Sequence, residues 1–108
     1  MKSAAPELPR HRELEPLFHR LANEWRAGRS HSSTVADMAM EMPYQQIIGL
    51  GDDAVPFLLA ELERQPDHWF WALHAITRAD PVPQEHRGNV ARMAQAWIDW
   101  GRQQGYTW

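Results

Sequence analysis

The sequence predicts an all-α fold, a small helical globule of about five helices, from three observations. Apolar residues recur at helical spacing along most of the chain, and no run alternates over the length of a strand. Prolines and glycines cut the periodic stretches into short pieces. At 108 residues the chain holds one modest core and is too short for two. The expected organisation is a loose lead-in over residues 1–10, which contain Pro6 and Pro9, and a single domain over residues 11–108.

Taken in order, Pro16 suits the first turn of a helix, where its missing N–H does little harm. Leu17, Phe18, Leu21 and Trp25 then form one buried stripe, and Gly28 is a natural stop. Residues 29–34 are polar turn material, in which Ser33 or Thr34 can cap a short helix from Val35 to Met40. Pro43 disfavours helix at Met42, so a break is expected there, with a short helix from Tyr44 to Leu50 carrying Ile47 and Ile48. The next helix is expected to be capped by Asp52 or Asp53, to hold Pro56 in its first turn and to end near Arg64. Its inward face is Val55, Leu58, Leu59 and Leu62, with Phe57 on the opposite side beside Glu61 and Arg64.

Asp67 is the expected cap of a helix reaching about Thr77, with Trp69, Ala72, Leu73 and Ile76 inward and Trp71 pointing away. Asp80-Pro81-Val82-Pro83 is a rigid connector that no helix crosses. The last helix should start between Gln84 and Asn89, end near Gln104 with Gly105 just beyond, and bury Val90, Met93, Ala94, Trp97 and Ile98. Gly101 falls within that stripe, where glycine costs about 1 kcal/mol against alanine. The expected reason is a close approach, either by another helix or by Tyr106, Thr107 and Trp108. Leu58, Leu62, Trp69, Leu73, Ile76 and Trp97 lie at the centres of their stripes and should pack together.

Composition excludes several functions. A net charge of −3 and a pI near 6.0 argue against binding a phosphate backbone, so no nucleic-acid partner is expected. The absence of cysteine removes disulfides, thiolate metal sites and thiol nucleophiles. The start of the chain lacks the apolar segment of a secretory signal, and no window reaches the length of a membrane span. A soluble cytoplasmic protein without membrane association is the expectation. The six histidines never fall at the spacing that sets two ligands on one helix face, so no metal site is expected. Asp52-Asp53 reads as capping, His31-Ser32-Ser33-Thr34 as a surface loop, and Gly49-x-Gly51 as a turn without a phosphate cradle. Neither catalytic residues nor a cofactor site is expected, and the chain reads as a non-enzyme.

Tryptophan is the anomaly, with six in the chain. Large rings help a small helical core bury enough area, and they also mark binding hot spots. Phe57 and Trp71 lie outside their own stripes. Two readings stand for them: burial against the first or last helix, or exposure toward a partner. On the second reading Phe57 and Trp71 form the interface, with Tyr44, His74, Trp100 and Trp108 as neighbours and Asp99 and Arg102 on the rim. Met38, Met40 and Met42 share no face if helical and line one side if extended.

Residues 47–76 resemble one HEAT or PBS-lyase-type helical pair. The resemblance lies in Leu50-Gly51, in Ala54-Val55-Pro56 with Leu58-Leu59, in Asp67, and in Ala72-Leu73 with Ala75-Ile76. Such repeats usually open the second helix Asp-x-x-Val-Arg, and here Asp67-His68-Trp69-Phe70 stands instead, which argues against a long regular array. The resemblance implies a HEAT-like domain closed by its flanking helices and a role in binding one protein partner. The wider wording, with PDHWFWALHAIT, DPVP and AQAWIDWGRQQGY, is similar to a family of small bacterial proteins. That similarity implies an immunity or antitoxin member that neutralises a co-encoded protein. The alternatives are a homo-oligomeric structural protein, or a small ligand-binding or enzymatic domain with a pocket of Trp71, Phe57 and His74.

Overall fold

The computed structural model describes residues 11–28 and 34–108, and every regular element within them is helical. Residues 1–10 and most of the 29–34 turn lie outside the described residues. Helix α1 (His11–Gly28) buries Leu14, Phe18, Leu21, Ala22 and Trp25. It begins before Pro16 instead of at it, because Leu14 extends the buried stripe one turn toward the N-terminus. The proline there forfeits a single backbone bond. Helix α2 (Val35–Ala39) is capped by Thr34, whose hydroxyl accepts from the Asp37 N–H at 3.0 Å.

Helix α3 (Met42–Gly49) starts at Met42 with Pro43 in its first turn, so the break falls at Met40 and Glu41, earlier than expected. A 3₁₀ turn (Gly51–Ala54) leads into α4 (Val55–Arg64). Neither Asp52 nor Asp53 caps α4, contrary to expectation. The carbonyl of Asp52 takes the Val55 N–H within the 3₁₀ turn, and its carboxylate accepts from the Tyr106 hydroxyl.

Helix α5 (Phe70–Thr77) corrects a second cap. Asp67 does not cap it: one carboxylate oxygen accepts from the adjacent His68 N–H at 2.8 Å, and the other lies 3.9 Å from Arg26. The cap comes from α3. The Tyr44 hydroxyl accepts from the Ala72 N–H at 2.9 Å, in the first turn of α5, and donates to the His68 carbonyl at 3.0 Å. Burial drives the Tyr44 phenol well above its ordinary pKa, so it stays protonated and able to donate. Arg78 ends α5 in the left-handed region, at φ 62°. Helix α6 (Val90–Gln103) is capped by the Asn89 side chain, which accepts from the Arg92 N–H at 3.1 Å. It ends in a Schellman motif, in which Tyr106 N–H bonds Gly101 O at 3.0 Å and Gly105 N–H bonds Arg102 O at 3.1 Å.

Helix α3 packs between α1 and α5, while α4 packs on α6. The core is aromatic where α1, α3 and α5 meet: the Trp69 ring lies 4.5 Å from Trp25 and stacks on Tyr44 at 5.5 Å. Leu58, Leu62, Trp69, Leu73 and Trp97 belong to one buried cluster, with Ile76 half-buried against it. The side of α4 opposite its leucines is covered as well. Phe57 stacks on Phe18 of α1 at 5.6 Å, and Glu61, only 2% exposed, receives Arg26 of α1 at 2.5 Å and Arg64 at 2.8 Å. Burial alone would raise the Glu61 pKa, but the two guanidiniums outweigh it and hold the carboxyl below the usual range. Arg26 also sits over the Trp69 ring at 5.8 Å.

Both expected reasons for Gly101 apply. A Cβ there would stand 2.5 Å from a Leu59 methyl of α4 and 3.4 Å from the Trp108 ring. No helix of the described residues is long and apolar enough to cross a membrane.

Candidate functional site

Among the described residues, a concavity lies between α5, the proline connector and the start of α6. Its making follows from local sequence. Trp71 is on the side of α5 away from the Trp69, Ala72, Leu73 stripe and is left 49% exposed. The connector cannot be helical because of Pro81 and Pro83, and in this extended stretch Val82 alone turns into the protein and is buried. Val90 and Met93 form the half-buried flank of α6 beside Trp97. The result is a groove of about 580 Å³ with an apolar floor of Phe70, Val82, Val90, Met93 and Trp97, edged by Trp71 and by Val35 of α2.

The polar groups lie among these residues. Asp80 and Arg87 form an exposed ion pair at 2.8 Å. His74 Nδ1 lies 2.8 Å from the Ala79 carbonyl. A carbonyl only accepts, so Nδ1 is the donor of this bond. His68 completes the set. Such an arrangement offers apolar contact and hydrogen bonds. No nucleophile stands beside an oriented base here. Among the described residues no group of three or more histidine, aspartate or glutamate side chains is placed to hold a metal ion.

The expected site residues do not converge. Trp71 and His74 share the groove. Asp99 and Trp100 line a separate depression along α6 with Pro81, His86 and Arg92. There Asp99 accepts from Gln95 at 2.8 Å, and the Trp100 ring packs between Trp97 at 5.3 Å and Tyr106 at 5.8 Å. Arg102 and Trp108 meet at a third place, both donating to Glu63, at 2.6 and 2.9 Å, with the guanidinium 5.2 Å from the Trp108 ring centre. That arrangement fastens the tail to α4.

One expected contact is corrected outright. Tyr44 is fully enclosed in the core, where its ring and hydroxyl hold α5, so it offers no surface. Phe57 stacks on Phe18 of α1, is half-buried and does not line the groove.

No known protein family, curated protein or solved structure matches the chain.

Sequence reasoning missed the groove's floor. Val90 and Met93 sat in a stripe read as core, and Val82 was read only as part of a rigid connector. The available signal was Val82 itself, an apolar residue between two prolines that needs a neighbour to bury it. The methionines divide: Met38 packs against the core, whereas Met40 and Met42 are 66% and 67% exposed on either side of the α2–α3 break.

Proposed function

We propose that this chain is a small non-catalytic module that binds one protein partner through the groove between α5 and α6. The observation that supports this reading best is the half-exposed Trp71 at the edge of an apolar groove. The other tryptophans are buried, half-buried within α6, or tied into the tail contact with Glu63. Exposed tryptophan beside an apolar cavity with a few polar groups is the composition of a binding hot spot. The resemblance of residues 47–76 to a HEAT-type pair points the same way, since such pairs present surfaces to partners.

The test is comparative co-purification from the source cells, with quantitative mass spectrometry of what adheres. Trp71→Lys should remove a partner that the unaltered chain and a Trp108→Ala variant both retain. If the unaltered chain and Trp71→Lys carry the same proteins in the same amounts, the groove is not the interface. Self-association is a second reading, favoured by the exposure of Val35, Met40 and Met42 around α2 and α3. Sedimentation of the chain against a Met40→Lys, Met42→Lys variant separates it from the first.

A further inference from the structure

The two ends of α6 are held differently. The helix packs along α4, and the groove opens where α5 and α6 make no extended contact. Its groove end is held by the burial of Ala94, Trp97 and Ile98. The Trp97 indole N–H is buried there without a hydrogen-bond partner among the described residues. At the far end, by contrast, polar contacts join α6 and the tail to α4 and to the 3₁₀ turn before it.

That far end is a strap. Gly105, at φ 90°, turns the chain back after α6. The Tyr106 hydroxyl then donates to Asp52, ahead of α4, and the Trp108 indole donates to Glu63, in the last turn of α4, at 2.9 Å. Burial, and then the Asp52 carboxylate, push the Tyr106 pKa up to about 12, so the phenol stays protonated and able to donate. Arg102 takes the other oxygen of Glu63 at 2.6 Å. Between the two ends α6 meets α4 closely: a Cβ on Gly101 would stand 2.5 Å from the Leu59 methyl. Such a contact fixes one point on α6 and leaves the tilt of the helix to whatever holds its ends.

We propose that α6 is a lever seated on Leu59 at Gly101, and that the strap of residues 106–108 holds its far end and so fixes the width of the groove. Val90 lies eleven residues before Gly101. That is about 16 Å along the helix, so a tilt of about 10–15° moves Val90 by roughly 3–4 Å. Release of the strap frees this tilt, which makes Asp52 and Glu63 a control point remote from the groove. Each clasp holds alone. A change at Trp108 leaves Tyr106 on Asp52 and Arg102 on Glu63, and the lever stays in place. The device concerns the shape of the groove and stands whether or not a protein partner fills it.

Double electron–electron resonance on the full chain tests it. The chain has no cysteine, so spin labels on Ala75→Cys in α5 and Ala91→Cys in α6, both exposed positions, report the distance across the groove. The unaltered strap and Trp108→Ala should give the same narrow distribution. Glu63→Ala combined with Tyr106→Phe opens both clasps while keeping the ring at position 106 against Trp100. This variant should shift or broaden the distribution by about 3 Å or more. Its Trp108 indole N–H resonance should move to that of a solvated tryptophan. Glu63 is exposed and the ring at 106 is retained, so circular dichroism should be unchanged. An unchanged distribution with the Trp108 resonance released overturns the lever. A Trp108 resonance that stays in place overturns the two clasps. Neither result bears on the protein-binding reading, which Trp71→Lys tests separately.

Discussion

Replacing Tyr44 by phenylalanine tests how α5 is held. The ring, enclosed between Trp25 and Trp69, keeps its shape and buried area, so the change removes only the hydroxyl. Two hydrogen bonds go with it, from the Ala72 N–H at 2.9 Å and to the His68 carbonyl at 3.0 Å. The Ala72 amide lies in the first turn of α5, where no helical carbonyl can reach it, and the residue is fully buried. Leaving such a donor without a partner costs about 1–3 kcal/mol, and the second bond adds about 0.5–1.5 kcal/mol. A net loss of about 2–3 kcal/mol is therefore expected, a large share of the roughly 5–15 kcal/mol that stabilises a domain. At about 4–8 °C per kcal/mol, the midpoint should fall by roughly 10–20 °C in a calorimetric melt. Amide exchange should show the loss at Ala72 first. A midpoint within about 2 °C of the unaltered chain, with Ala72 equally protected, would refute the account of Tyr44 as the cap of α5.

Three further outcomes are expected. Glu61→Ala leaves Arg26 of α1 without its nearest charge, with Asp67 still 3.9 Å away, and should cost about 1–3 kcal/mol. Because the folded Glu61 carboxyl is held below the usual range, its contribution is complete at neutral pH and drains away as pH falls through the lowered value. Glu61→Gln should accordingly flatten the acid limb of the stability profile, and an unchanged limb would mean the pairing contributes nothing. Gly101→Ala gains about 1 kcal/mol of helix propensity but forces the buried Leu59 methyl aside, at about 1–3 kcal/mol. A lower midpoint is expected, and Leu59→Ala should relieve the added cost of the Gly101 change in a double-mutant cycle. Leu73→Ala, at a fully buried position in the core, should cost about 2–5 kcal/mol by chemical denaturation, and a near-neutral result would show the face assignment to be wrong.

The helices were legible because their information is local. The stripes of α4 and α6, the Thr34 cap, the Asn89 start and the Gly105 stop all follow from spacing and from residues within a turn of each other. What failed was non-local. Asp67 had the right chemistry and place to cap α5, yet Tyr44, 28 residues before Ala72, does so. Asp52 likewise serves Tyr106 across 54 residues. Glu61 was set on an outer face because periodicity gives each helix a single buried side, whereas α4 is covered on two. The site was half legible for the same reason. Off-stripe position identified both Phe57 and Trp71, but only tertiary packing decides that Phe57 is half-covered by Phe18 of α1 while Trp71 is left at the groove.

The six tryptophans give the most direct measurement of the central claim, because each contributes its own indole N–H resonance in a nitrogen-labelled sample. Titration with the partner recovered by co-purification should move the Trp71 and Trp97 signals, since both rings line the groove. Trp25 and Trp69, enclosed in the core, should stay in place. Movement of Trp100 and Trp108 with Trp71 unmoved would place the interface on α6 and the tail, and would contradict the groove as the binding site.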